Sequence, residues 1–153
     1  MGRSEPSALF MVTWEGFCLE EQLIQAYRST DYRIAGKVQF SLRIDEPCVE
    51  CDAEMDAHDS TTAAFLTAWN PYSQVADRDQ NIAAQEQLVQ DLETVSLSIL
   101  SGEGVDPTGA WPTEPSLLAI GITRDQAVRL AGKYQQNAFV WLKRGHPAEI
   151  ILL

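Results

Sequence analysis

The order of apolar strands and amphipathic helices after residue 62 constrains the fold more than any other feature of this sequence. We predict a strand at 63–69, a helix at 79–95, strands at 97–100 and 116–122, a helix at 123–134 and a strand at 137–143. The order β-α-β-β-α-β is the split βαβ pattern of ferredoxin-like folds. We therefore predict an α+β fold, a two-layer sandwich with a ferredoxin-like core.

Additional elements are expected on both sides of this core. A helix is predicted over 19–30, and apolar residues alternate with polar ones from Val38 to Ile44, as in a strand with one buried face. With the helix that should begin near Asp45, this strand forms a leading β-α unit at 38–58. An extra C-terminal strand is predicted at 150–153. We expect residues 1–16 to be a flexible leader and residues 17–153 to form a single domain.

Charge and cysteine content exclude several function classes. The 153-residue chain has a net charge of −11, and Arg78 is the only basic residue between 44 and 123. Such an acidic body repels phosphate backbones, so we expect no nucleic-acid partner. No apolar run approaches the roughly 20 residues of a membrane span, so no membrane partner is expected. Three cysteines without an export signal predict a cytoplasmic protein with free thiols.

The pair Cys48 and Cys51 has the spacing of zinc-binding and redox-active cysteines. Zinc needs two further ligands, and His58 and His146 are the only histidines in the chain. A redox pair needs a helix N-terminus and a lowered thiol pKa, and acidic residues surround this pair. Because Cys48, Cys51 and Met55 share one helical stripe, we interpret both thiols as small core residues. We predict no metal and no cofactor.

Several short segments resemble a bacterial family of unknown function. They are Thr-Ala-Trp-Asn-Pro-Tyr-Ser at 67–73, Asn81, Gly-Glu-Gly at 102–104, Trp-Pro-Thr-Glu-Pro-Ser at 111–116 and Gln-Gln-Asn-Ala at 135–138. The resemblance covers about residues 40–142, and its recurring markers are Thr-Ala-Trp-Asn-Pro, Trp-Pro-x-Glu-Pro-Ser and Gln-Asn-Ala. It implies no reaction, cofactor or ligand.

These segments should meet at one end of the sheet, here called the loop end. In a split βαβ sandwich the turn at 69–81, the long loop at 101–115 and the turn at 135–137 all emerge at the same end. Loops on a rigid scaffold commonly carry function. The predicted ligand-binding residues are Trp69, Asn70, Tyr72, Ser73, Asn81, Glu103, Asp106, Trp111, Glu114, Gln136 and Asn137.

Other interpretations of these residues remain open. The polar side chains could instead hydrogen-bond the turns that carry them. Glu103, Asp106 and Glu114 could bind a hard cation such as Mg²⁺ through oxygen. If the domain is an enzyme, its catalytic residues are unknown, with Glu114 or Asp106 the best candidates for a general base.

The sequence does not assign a function, and three hypotheses follow. The first is a small binding or regulatory domain that recognises a small polar or cationic ligand, or a partner protein, at the loop end. The second is a small enzyme that uses the Glu114 carboxylate on a polar substrate. The third is a structural interaction protein, or a homodimer formed through the final strand.

Overall fold

The computed structural model describes residues 19–36 and 39–153, and its fold is mixed α and β. The predicted leader at 1–16, and Cys18, lie outside the described residues. The helices are α1 (Leu19–Arg28), α2 (Val49–Ala57), α3 (Arg78–Glu93) and α4 (Arg124–Lys133). The strands are β1 (Asp31–Ala35), β2 (Gln39–Leu42), β3 (Thr62–Leu66), β4 (Ser98–Val105), β5 (Glu114–Ile120), β6 (Ala138–Lys143) and β7 (Glu149–Leu152).

All seven strands form one antiparallel sheet in the order β2-β1-β4-β5-β3-β6-β7. The sheet is curled, because the chain just beyond β2 meets the chain just before β7. Ile44 forms a parallel bridge with Ala148. The Asp45 amide donates to the Ala148 carbonyl at 2.7 Å, and the Ala148 amide donates to Glu46 at 3.1 Å. These bonds engage part of the edge that the homodimer hypothesis would leave free.

Alternate residues of strands β3 to β7 pack into two separate hydrophobic clusters, whereas β1 and β2 contribute to one of them. On β3, Ala63 and Phe65 belong to one cluster, and Ala64 and Leu66 belong to the other. The first cluster contains Ile44 and Ala148, so the sheet curls around it, and we call this side the inner face. The opposite side is the outer face.

Helices cover both faces of the sheet, which differs from the predicted two-layer sandwich. On the outer face, α3 contributes Leu88 and Leu92 and α4 contributes Leu130. On the inner face, α2 contributes Cys51 and Met55, and α1 contributes Tyr27. The two-layer prediction was incomplete because it gave the leading segment one strand, and the two strands present there extend the sheet until it curls over α2. None of the described helices is long and apolar enough to cross a membrane.

Two local differences from the predictions affect the site. First, β1 was not predicted, and it lies between β2 and β4. Second, seven of the 15 residues in the predicted loop at 101–115 are strand, since β4 continues to Val105 and β5 begins at Glu114. Gly102 explains the long strand, because a Cβ there would lie 2.7 Å from the Arg33 carbonyl oxygen and 2.8 Å from Cε2 of Phe65. Only glycine permits this close approach of β1 and Phe65 to β4.

The predicted start of α4 is confirmed, and that of α2 is wrong. Thr123 and Gln126 form a reciprocal capping box at the start of α4. In α2 the N-cap is Cys48, whose sulfur accepts from the Cys51 amide at 3.3 Å. Asp45 cannot cap this helix, because it has a left-handed φ of 68° in the chain segment that pairs with Ala148.

Candidate functional site

A cavity of about 320 Å³ opens at the loop end of the curled sheet. Inner-face residues from several strands form its floor, among them Tyr32, Phe65, Gly104, Glu114, Val140 and Ile150. Tyr27 and Thr30, at the end of α1, form one side. The volume is at the lower end of the range of natural small-molecule sites, and barrel mouths are common positions for such sites.

Six of the predicted site residues line this cavity: Asn70, Ser73, Asp106, Trp111, Glu114 and Gln136. They come from all three of the connections expected to meet here. Trp69, Tyr72, Asn81, Glu103 and Asn137 are not among the lining residues.

Among the residues that line the cavity, only Glu114 has a carboxylate that neither accepts hydrogen bonds from its own loop nor forms a described ion pair. As the first residue of β5 it has the same strand parity as Leu118 and Ile120, so its side chain lies on the inner face. Asn70 donates from Nδ2 to Glu114 Oε2 at 3.2 Å. Among the described residues no basic side chain forms an ion pair with this carboxylate.

The environment of Glu114 favours its neutral form. Burial raises the pKa of this carboxyl above its usual value, and the hydrogen bond from Asn70 opposes the rise. A carboxyl group with a raised pKa in a cavity is a functional-site signal, although structural networks also produce such shifts.

The turn after β3 is held by hydrogen bonds from its own polar side chains. Asn70, Tyr72 and Ser73 have left-handed φ values of 46°, 54° and 60°. Such backbone costs about 1–3 kcal/mol per residue and needs support from its surroundings. Asn81 gives that support: its Oδ1 accepts from the Asn70 amide at 2.9 Å, and its Nδ2 donates to Asn70 Oδ1 at 2.8 Å.

The segment before β6 supports the same turn. The Tyr72 amide donates to the Gln135 carbonyl at 2.7 Å, Asn137 Nδ2 donates to Ser73 Oγ at 3.1 Å, and Gln136 Nε2 donates to the Trp69 carbonyl at 3.3 Å. Asn81 and Asn137 therefore have a structural role, because their side chains hold the turn by hydrogen bonds. Asn70 has both roles, because it is fixed by Asn81 and contacts Glu114.

Asp106 is fully engaged by its own loop. Its carboxylate accepts from the Thr108 amide and hydroxyl at 3.0 and 2.8 Å, and from the amides of Ala110 and Trp111 at 3.0 and 3.2 Å. These hydrogen bonds lower the pKa of Asp106, the bond from Thr108 most strongly. Asp106 thus shapes the loop that presents Trp111, which is 38% exposed at the cavity.

The proposed Mg²⁺ site at Glu103, Asp106 and Glu114 is not assembled. Glu103 lies in β4 opposite Pro115, and its parity places it on the outer face, away from Gly104 and Glu114. The described residues contain no group of three potential metal ligands. Glu103 was assigned to the site because residues 101–105 were predicted to be loop, where side chains do not alternate between two faces.

The lining residues that were not predicted include Tyr27, Tyr32 and Gly104. Tyr27 hydrogen-bonds with Ser73, and burial, followed by the nearby Glu114, raises the pKa of its hydroxyl. Tyr32 donates from its hydroxyl to the Tyr27 carbonyl at 3.2 Å. Gly104 lines the cavity, and a Cβ there would meet only Thr30 Cγ2, at 3.8 Å. The sequence signal that could have predicted β1, and with it the position of Tyr32, was the alternation of Tyr32 and Ile34 with polar neighbours.

Cys48 and Cys51 are core residues, as the helical stripe predicted. Both are free thiols, 7% and 1% exposed, in the inner-face cluster with Met55. Hydrogen bonding with Cys51 lowers the pKa of the Cys48 thiol.

Residues 66–139 match a family described as a protein of unknown function (DUF3293). No curated protein and no solved structure matches the chain. The match supports the expected resemblance to a family of unknown function, and it assigns neither a reaction nor a ligand. The matched residues run from the end of β3 to the start of β6, so they include Asn70, Asp106, Glu114 and Gln136.

Proposed function

We propose that this protein binds a small molecule in the cavity at the loop end, with Glu114 as the polar anchor. The observation that carries the proposal is the carboxylate of Glu114, which lies in a largely apolar cavity with one described hydrogen bond and no described cationic partner. Ligand sites typically combine apolar walls with a few placed polar groups. The Asn70–Asn81 network supports such a role because it fixes the donor beside the carboxylate.

Binding is favoured over catalysis by what surrounds Glu114. His58 ends α2 just before β3, and His146 follows β6, so both described histidines lie at the opposite end of the sheet from Glu114. No histidine, cysteine or lysine is among the residues that line the cavity. Acid–base chemistry would therefore rest on Glu114 alone, without the partner that nucleophilic or paired acid–base mechanisms use.

The raised pKa of Glu114 favours a second candidate function, an enzyme in which this carboxyl exchanges a proton with a polar substrate. If so, the Glu114→Gln variant would still bind the compound and would stop converting it. A pure binding protein would return the compound unchanged after long incubation with the wild type. Mass spectrometry of the compound separates these two outcomes.

The test of the proposal is a thermal-shift screen of the full chain against amines, sugars, nucleotides, amino acids and organic acids. A ligand that binds only the folded state raises the melting temperature by mass action. Gly104→Leu places a side chain in the cavity from a position where a Cβ makes no close contact, so it should abolish the shift. Glu103→Gln, on the outer face, should preserve it. A screen without a hit, or hits that Gly104→Leu leaves intact, would overturn the proposal.

We also propose a fold type for the core, a cellular compartment and a set of family markers. The order β4-β5-β3-β6 with α3 and α4 on one face supports a ferredoxin-like core, to which β1, β2 and β7 are added. The free, buried thiols of Cys48 and Cys51 support a reducing, cytoplasmic compartment. We propose that the segments at 67–73 and 111–116 are markers of the matched family, because both lie within the matched residues and contribute to the lining of the cavity.

A further inference from the structure

The polar groups around the cavity restrict the chemistry of a ligand, and this inference rests on the proposed function. Tyr32 donates to the Tyr27 carbonyl, Thr67 Oγ1 donates to the Pro115 carbonyl at 2.7 Å, and Ser116 Oγ donates to the Glu114 carbonyl at 3.2 Å. Gln136 Nε2 donates to two backbone carbonyls. These side chains already use their donors within the protein.

Glu114 has the largest remaining capacity, because the ionised carboxylate, which a bound cation would stabilise against the effect of burial, accepts about four hydrogen bonds. One described donor, Asn70 Nδ2, reaches Oε2, and no described donor reaches Oε1. A ligand that uses this remaining capacity must donate hydrogen bonds. The environment also favours positive charge, since no Lys, Arg or His lines the cavity and the chain carries a net charge of −11.

The apolar walls of the cavity restrict the part of the ligand that does not contact Glu114. Tyr27, Tyr32, Phe65, Phe139 and Trp111 contribute aromatic surface, and Val140 and Ile150 contribute aliphatic surface. Aromatic rings bury large apolar areas and attract cations at their faces. A sugar would leave several hydroxyls without partners in such a site, and a phosphate or carboxylate would meet the Glu114 charge without a compensating cation.

We infer that the cavity takes an organic ammonium ion, in which a protonated amine donates to Glu114 and an apolar, ring-containing body packs against the aromatic walls. The amine replaces the water that a carboxylate would otherwise bind, and the charge-assisted hydrogen bond is strong because the site is partly shielded from solvent.

The inference is tested with matched sets of compounds that differ only in one polar group. Each set contains a primary ammonium ion, the corresponding neutral alcohol and the corresponding carboxylate, on phenyl, indole and cyclohexyl bodies. Binding to the full chain is measured by calorimetry. We expect the ammonium member to bind at least about tenfold more tightly than the alcohol, the ratio typical of one hydrogen bond to a charged group. The carboxylate should not bind.

Two variants test whether Glu114 causes the preference for the ammonium ion over the alcohol. Glu114→Gln should reduce the ammonium-to-alcohol ratio to about one, whereas Glu103→Gln should leave it unchanged. Equal binding of the ammonium ion and alcohol by the wild type, a preference for the carboxylate, no binding of any ammonium ion, or an unchanged ratio in Glu114→Gln would each overturn the inference. If a neutral or anionic compound binds and Gly104→Leu abolishes that binding, the proposed function stands and only the ligand class is wrong. If no binding depends on Gly104, both fail.

Discussion

Asn70 and Asn81 exchange two hydrogen bonds across the turn that follows β3, one from the Asn70 amide and one from the Asn81 side chain. Asn81 is 3% exposed, and removal of its side chain leaves the partly buried Asn70 amide without this partner.

We therefore predict that Asn81→Ala lowers the free energy of unfolding by about 2 kcal/mol, the cost of losing two hydrogen bonds at a buried site. Gln90→Ala, at an exposed position of the same helix, should change it by less than about 0.5 kcal/mol. Urea denaturation measures both variants. A loss for Asn81→Ala no larger than that for Gln90→Ala would show that the turn does not need this support.

The two glycines of β4 are predicted to respond oppositely to the same substitution. A Cβ on Gly102 would overlap the Arg33 carbonyl oxygen and the Phe65 ring, whereas a Cβ on Gly104 meets only Thr30 at 3.8 Å. Gly102→Ala should lower stability by about 2 kcal/mol through overpacking, and Gly104→Ala should leave it unchanged or slightly raised. Thermal unfolding of the pair measures this difference. Equal effects would contradict the assigned packing of β4.

These glycines also show why the sequence predicted the loop end only in part. Gly102 and Gly104 punctuate a segment rich in glycine and proline, and local rules assign such a segment to a loop. Both glycines nevertheless lie in β4. Position 102 requires glycine because β1 and Phe65 approach β4 too closely there for any side chain. That constraint comes from β1, a five-residue strand containing Asp31 and Arg33, whose own propensity is weak.

The elements with strong periodicity were predictable, and the curl of the sheet was not. The capping box of α4 and the apolar residues of β3, β5 and β6 follow from spacing alone. The bridge between Ile44 and Ala148 depends on the twist accumulated over the whole sheet, which no local pattern encodes.

The stability of the protein should depend on pH through Glu114. Its pKa is higher in the folded than in the unfolded chain, so the folded state retains this proton over a range where the unfolded state has lost it. The free energy of unfolding of the wild type should therefore fall, relative to Glu114→Gln, as pH rises from about 4 through the folded pKa. Denaturation of both proteins at several pH values measures the difference. A difference that is constant, or that grows in favour of the wild type, would rule out a raised pKa of Glu114 in the folded state.

Asp91 should give the opposite pH dependence. Lys133 Nζ and the Tyr134 hydroxyl donate to Asp91 Oδ2 at 2.7 and 2.5 Å, which links α3 to α4 and lowers the pKa of Asp91. Because this pKa is depressed in the folded state, the stabilisation is present above the unfolded pKa of about 4 and disappears as pH falls through the folded pKa.

Asp91→Asn should accordingly cost about 1 kcal/mol at neutral pH, and the gap to the wild type should close in acid. Glu93→Gln, at an exposed position near the end of the same helix, serves as the control and should change little at either pH. Denaturant titrations at neutral and acidic pH measure both. A cost for Asp91→Asn that persists undiminished at low pH would point to packing and not to charge.

The most direct test of the central claim is chemical-shift mapping of the ¹⁵N-labelled full chain with the compound that raises its melting temperature most. We predict that shifts concentrate at the Gly104 amide and the side-chain amides of Asn70 and Gln136, and that Glu114→Gln needs at least about tenfold more of the compound to reach the same shifts. Gly145, in the turn at the opposite end of the sheet, should not shift. Shifts centred on Gly145, or shifts around Gly104 that are equally large in Glu114→Gln at the same concentration, would contradict a ligand site anchored by Glu114.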